Sequence, residues 1–238
     1  MLYLFILIIV AIMFLCNVPK TISTTDKYYI QKIFSEAGIT PSAHTSVNFD
    51  EEIKHIINIQ AAVFKRAPGR EMIPYGLPRE PENLYNMRAG YCCDRARTMD
   101  KAMRLAGFPS RYVSVYRRHP DYNFFQSLFL TNASAYKCHS HALIEVKTSQ
   151  GWIAVDTRHH WISLSADNAP LSLREMRHIG PLMDMGWSDK NTEPPYDFFQ
   201  YPFYIIYGLY SRHGKFYPPF IPMLPNVNWG EMLENFKA

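Results

Sequence analysis

Cys92 opens an amphipathic stretch just after Gly90-Tyr91, and His141 and Asp156 follow on what read as the two arms of a β-hairpin. A thiol nucleophile requires these residue types: a base to hold its proton and a carboxylate to orient the base. A free cysteine titrates near ~8.5, and a helix N-terminus favours its thiolate. The first N–H groups of a helix lack helical partners and point outward. Cys93 is one residue on, rotated about 100° around the helix, so the two thiols cannot serve one site equally. Spacing alone does not choose between them. Gly90 reads as a place where the backbone can approach a substrate closely.

Each residue also has an ordinary reading. A helix cysteine is most often a small buried hydrophobe, a strand histidine a satisfied structural residue, and an aspartate ending a strand a turn former. Asp94 reads as a charge that complements the helix N-terminus, not as a catalytic acid. Cys92, Cys93, Cys138, His139, His141, His159 and His160 invite a metal reading. Adjacent pairs suit a zinc cage poorly, since zinc ligands are usually separated by a short turn. No metal and no other cofactor is expected.

The elements that must position these groups are legible in part. Asp26 to Ala37 reads as a helix ended by Gly38. Residues 51–65 read as another, with Asp50 as N-cap and Ile53, Ile56, Ile57, Ala61 and Phe64 at helical spacing. A proline-rich loop through Pro74, Pro78 and Pro81 leads to Gly90. Residues 92–106 form the cysteine helix, with Gly107 just past its end. Ser110 to Tyr116 alternates as a strand, with Tyr112, Ser114 and Tyr116 on one face and Arg111, Val113 and Val115 on the other. A long loop over 117–140, with a helical turn around 124–129, precedes a hairpin of 141–147 and 152–157. Ser172-Leu-Arg-Glu175 is a capping box. Asn228 to Glu231 looks like the cap of a last short helix.

Length and composition bound the rest. A chain of 238 residues is right for one well-buried domain. Its 25 basic residues are scattered and its net charge is only +4, so no nucleic-acid stripe is visible and none is expected as a partner. Four cysteines, one of them in the apolar leader, do not make a disulfide framework, although a Cys93–Cys138 bridge is open outside the cytoplasm. Residues 1–18 begin with fifteen positions free of charge, which reads as an uncleaved single-pass membrane anchor or a signal segment. Lys20, Lys27 and Lys32 on its C-terminal side argue for a cytoplasmic domain. An extreme N-terminal apolar run more commonly exports the rest of the chain, and the outer side is favoured. The aromatic and proline-rich tail beyond 194 either wraps the core or lines a groove for a substrate.

Gly-x-Cys92-x-Asp-x-Ala, followed by a helix and Leu105-Ala-Gly-Phe-Pro-Ser-Arg-Tyr-Val113, resembles the nucleophile segment of the transglutaminase-like superfamily. His141-Ala-x-x-Glu-Val and Gly151-Trp-x-x-x-Asp156 resemble its histidine and aspartate strands. The likeness covers roughly residues 50–160 and implies Cys92 as nucleophile, His141 as base and acid, and Asp156 as the orienting carboxylate. Leu143 replaces a frequent aromatic residue, and the proline after the family's aspartate is absent. The implied fold is α+β: a papain-like core with the cysteine helix packed on an antiparallel sheet. The chain then divides into an anchor (1–18), a transglutaminase-like core (26–165) and a C-terminal elaboration (166–238) packed on it. The implied chemistry is amide hydrolysis or acyl transfer to an amine, through a thioester. The oxyanion would rest on the Cys92 N–H and a second donor, for which Asn86 is the candidate. An envelope peptide, amide-bearing or glycan substrate would suit a tethered enzyme. A non-catalytic binding module for an envelope polymer is the alternative.

Overall fold

The helix that begins at Cys92 packs against a four-stranded sheet, and further helices pack on that helix. The structure, a computed structural model, describes residues 2–39, 48–74, 77–118, 123, 140–178, 199, 202–212, 215–216 and 226–237. The helices are α1 (Leu2–Leu15), α2 (Thr24–Ala37), α3 (Phe49–Arg66), α4 (Pro81–Met87), α5 (Cys92–Leu105), α6 (Leu173–His178) and α7 (Trp229–Met232). The strands are β1 (Ser110–Arg117), β2 (Ser140–Lys147), β3 (Trp152–Val155) and β4 (Phe203–Tyr207), with a two-residue pair β5 (Ser211–Arg212) and β6 (Lys215–Phe216) apart from them. The sheet order is β3-β2-β1-β4, and every neighbour is antiparallel.

Local chemistry sets the helix limits. Ser23 caps α2 in a reciprocal box with Asp26, so the helix begins two residues before Asp26. Gly38 ends it at φ 73°, a left-handed value that glycine adopts without a Cβ clash. The cap of α3 is Asn48, whose Oδ1 accepts the Asp50 N–H at 2.9 Å; Asp50, expected as the cap, lies inside the first turn. The proline-rich loop contains α4, because Pro81 occupies a first-turn position where its missing N–H costs nothing. Ser172 and Glu175 make the expected capping box before α6.

The sheet is buried on both faces, so its strands carry apolar residues at successive positions. Tyr112, Ala142, Ile144, Val146, Ile153 and Val155 join Ile53, Ile56, Ile59 and Val63 of α3 and Ala96, Met99 and Met103 of α5. Burying an aliphatic side chain of this size is worth about 1.5–3 kcal/mol. Val113, Val115, Leu143 and Ala154 pack on the other side with Trp161, Leu173, Phe199, Phe203 and Tyr207. The aromatic C-terminal segment is therefore not only a wrapping: it supplies β4, the fourth strand, beside β1.

Several expectations change. The anchor expected over 1–18 is interrupted: α1 has 14 residues, and Cys16 and Val18 are buried in the domain. No helix among the described residues is long and apolar enough to cross a membrane. Trp152 is half-exposed under the Arg111 guanidinium at 4.1 Å, and Trp161 is the buried indole. Cys92 carries a thiol, and the Cys93–Cys138 bridge left open by the sequence falls on a residue outside the described ones. Cys138 itself and the turn around 124–129 lie outside the described residues.

Lys101 on α5 is buried with its ammonium 2.6 Å from Asp26 on α2 and 2.5 Å from Glu80 before α4. Replacing Asp26 leaves that cation with one partly exposed carboxylate and also breaks the α2 cap. Asp26→Ala should lower stability by about 3 kcal/mol, read as an earlier midpoint in urea unfolding. An unchanged midpoint would mean that the pair is neutral to stability.

Candidate active site

Cys92 occupies the first helical position of α5, after the N-cap Tyr91. That turn is fastened by Asp94, whose buried carboxylate accepts the N–H of Tyr91 at 2.9 Å and of Ile73 at 3.3 Å. Burial pushes the Asp94 carboxyl up, and Arg79, 3.1 Å away, opposes that shift. Asp94 thus fixes the loop that presents Cys92. Gly90 is needed for packing, and not for access: a Cβ there would meet Leu84 at 3.0 Å and Asp94 at 3.1 Å.

His141 and Asp156 arrive from the far side. His141 is near the start of β2, and its Nε2 lies 2.8 Å from Asp156 Oδ2, just past the end of β3. The other carboxylate oxygen accepts the N–H groups of Arg158 at 2.6 Å and His159 at 2.7 Å. With Nε2 engaged, Nδ1 is the ring nitrogen left for the cysteine sulfur. Thr157 ties the two strands together through its hydroxyl to the Ala142 carbonyl.

The electrostatics follow from these contacts. The Cys92 thiol is held well below its ordinary value, first by its hydrogen bond with the Cys93 thiol. Burial opposes this; the hydrogen bond and charge of His141 and the Ala142 N–H add to it. Burial also disfavours a charged His141, yet the adjacent Asp156 carboxylate and the cysteine outweigh it and push the imidazole up to about 10. Asp156 moves far below the carboxylate range, because His141 and the loop N–H groups outweigh its burial. Both shifts favour a thiolate beside an imidazolium, the state that attacks an acyl carbon without a prior proton transfer.

Two buried residues absent from the sequence reading hold this geometry. Gln60 on α3 directs its amide nitrogen at three carbonyls of the turn after β3: Asp156 at 2.7 Å, Trp161 at 2.9 Å and His159 at 3.2 Å. Arg95, one turn into α5, donates to the carbonyls of Ala67 at 2.8 Å, Gly69 at 2.9 Å and Thr157 at 3.3 Å. It locks the nucleophile helix to the aspartate turn. Neither residue has a motif, and the partners lie up to 101 positions away.

His159 and His160 sit on this turn, His160 with its ring 4.7 Å from Phe64. Asn86 is exposed on α4, and no described hydrogen bond ties it to Cys92, His141 or Asp156. Among the described residues no three His, Cys, Asp or Glu side chains gather as a metal cage.

A cysteine at a helix start, facing a histidine and an aspartate carried by an antiparallel sheet, defines the papain-like class of thiol site. Residues 43–157 match the family model described as the transglutaminase-like superfamily, and the chain carries a domain of that superfamily. That match points to cysteine-dependent acyl chemistry in general. No curated protein matches the chain.

Two expectations test the electrostatics. Cys92 should be alkylated by iodoacetamide at pH 6 nearly as fast as at pH 8, and His141→Ala should slow the pH 6 reaction by at least about tenfold. An unchanged rate in that variant would assign the thiolate to Cys93 alone. Gln60→Leu leaves the buried Asp156 carbonyl without a donor and those of His159 and Trp161 with only their backbone ones, costing about 1–3 kcal/mol. It should also move the alkylation midpoint upward by up to about one pH unit, because Asp156 loses its fixed aim at His141. A midpoint that stays put while stability falls would make Gln60 purely structural.

Proposed function

We propose that the protein is a thiol acyl enzyme that cleaves an amide, passing the acyl group to water or to an amine. The observation that carries this reading is the single hydrogen-bonded chain from the half-buried Cys92 through His141 to the fully buried Asp156. The Cys92 sulfur attacks the amide carbon, and the electron pair of the carbonyl moves to oxygen. The Cys92 N–H, free of a helical acceptor at the start of α5, is aimed to receive that charge. As the C–N bond breaks, His141 gives its proton to the departing amine and a thioester remains. His141, now neutral, takes a proton from water or an incoming amine, which displaces the sulfur and restores the thiolate–imidazolium pair.

The substrate we favour is a peptide or amide-bearing glycan of the cell envelope, met by a domain on the outer face of a membrane. The apolar N-terminal helix supports that placement. Fold alone does not fix the substrate, and a binding module that keeps the triad without turnover is the second reading.

The test uses amidated envelope peptides with and without a dansyl-bearing primary amine. Release of the amine or ammonia, with a new carboxylate or a dansylated product, is expected from the wild type and from Cys93→Ala at reduced rate. Cys92→Ala should lose at least about a thousandfold. The rate should fall as pH approaches about 10, where His141 loses the proton that the leaving group needs. Stoichiometric binding with no product from any substrate, unaffected by Cys92→Ala, would favour the binding module.

A further inference from the structure

Sixteen large hydrophobic side chains are exposed among the described residues, and twelve of them are on α1. Residues 3–15 are exposed at every position, with no charge and no polar stripe. A partner protein or a second copy laid along α1 would cover one side and leave the others wet. Only a medium that surrounds the helix removes all of that surface from water. Two of the remaining four exposed hydrophobics, Leu233 at 63% and Phe236 at 81%, lie on the 3-10 turn that continues α7. The start of α7 touches α1 directly: the Trp229 indole donates to the Met13 carbonyl at 2.9 Å.

The joint between α1 and the domain is hydrogen-bonded to the C-terminal segment. Val18 donates to the Val227 carbonyl at 2.9 Å, and Val227 donates back to Cys16 at 2.8 Å. The Asn228 side chain donates to the Val18 carbonyl at 2.8 Å. No free linker separates the apolar helix from the core. Beyond the joint, Arg97 of α5 donates to the Pro19 carbonyl at 3.1 Å, and Arg104 donates to that of Lys20.

We propose that α1 and the C-terminal turn over Trp229–Phe236 form one lipid-binding surface that seats the catalytic domain directly on a bilayer. The proposal deepens the membrane placement above and does not depend on the chemistry at Cys92. The 14 residues of α1 reach about 21 Å, past the midplane of a ~30 Å hydrocarbon core but not across it. Trp229 then lies at the end of α1, at the depth where indoles are favoured. It also satisfies one of the last carbonyls of α1, which have no helical donor. Cys92 is only five residues from Arg97, about 7.5 Å along α5. The site therefore serves amides carried close to the membrane surface.

The test mixes the full chain with phosphatidylcholine vesicles and with vesicles of brominated phosphatidylcholine. The protein should float with the vesicles, and bromine should quench a tryptophan component that is missing in Trp229→Phe. Leu233→Asp/Phe236→Asp alters only exposed positions and should weaken vesicle binding at least tenfold, with iodoacetamide labelling of Cys92 unchanged. Flotation with no Trp229 quenching and no effect of the double variant would restrict lipid contact to α1 and overturn the shared surface. A chain that stays off the vesicles and sediments as a dimer would make the occupant a second copy. Loss of Cys92 labelling with intact flotation would instead count against the catalytic reading.

Discussion

Asp156 is a carboxylate sealed from water, and the site depends on how its charge is held. One oxygen is engaged by His141 and the other by two backbone N–H groups of its own turn. A carboxylate in such a nest cannot rotate without abandoning several charge-assisted bonds at once. Its aim is thereby transmitted to the imidazole ring. The ring's orientation in turn leaves Nδ1 for sulfur, and the charge it acquires helps to keep Cys92 ionised. Gln60 closes the other side of the turn, satisfying the buried Asp156 carbonyl and adding a second donor to that of Trp161. The helix that carries Gln60 is thus part of the active site without touching any reacting atom.

This division explains what the sequence could reveal. Cys92, His141 and Asp156 each sit in a short local pattern, because a helix start and two strand ends are set by neighbouring residues. The helix of Cys92, the strand from Ser110 and the hairpin arms were legible for the same reason, to within a residue or two. Gln60 and Arg95 were not, since each acts on carbonyls far away in the chain, and any sequence has a carbonyl there. Asn86 was chosen for its closeness in sequence to Cys92, and the structure shows it exposed on α4. Gly90 was misread in a similar way, as its bare Cα faces Leu84 and Asp94.

The C-terminal segment shows a second limit of local reading. Its aromatic residues carry no alternation clean enough to distinguish a strand from a covering loop. Yet β4 pairs with β1 over five residues, and Tyr207 packs beneath Arg111, 4.1 Å from its ring. What makes it a strand is the open edge of β1, a tertiary fact. The same holds for Val227, which bridges both Asn17 and Leu209 and so brings the two ends of the chain together. Periodicity within either end does not encode that meeting.

Buried charges of both signs surround Cys92. The ionised forms of Cys92, Asp94 and Asp156 stand against those of His141, Arg79 and Arg95, three of each sign. Five of these six side chains are buried, where an unbalanced charge is far costlier than in water. The proposed acyl transfer would respect the balance. When the sulfur is acylated it loses its negative charge, and His141 loses its positive charge in the same half-reaction by protonating the leaving amine. Deacylation restores both together. The arginines and Asp94 therefore need not move or change protonation during turnover, and the cluster can stay dry and rigid while only the Cys92–His141 pair exchanges charge. A buried aspartate and two buried arginines, none of them a nucleophile or a proton carrier, would thus hold the proposed nucleophile in place without taking part in its chemistry.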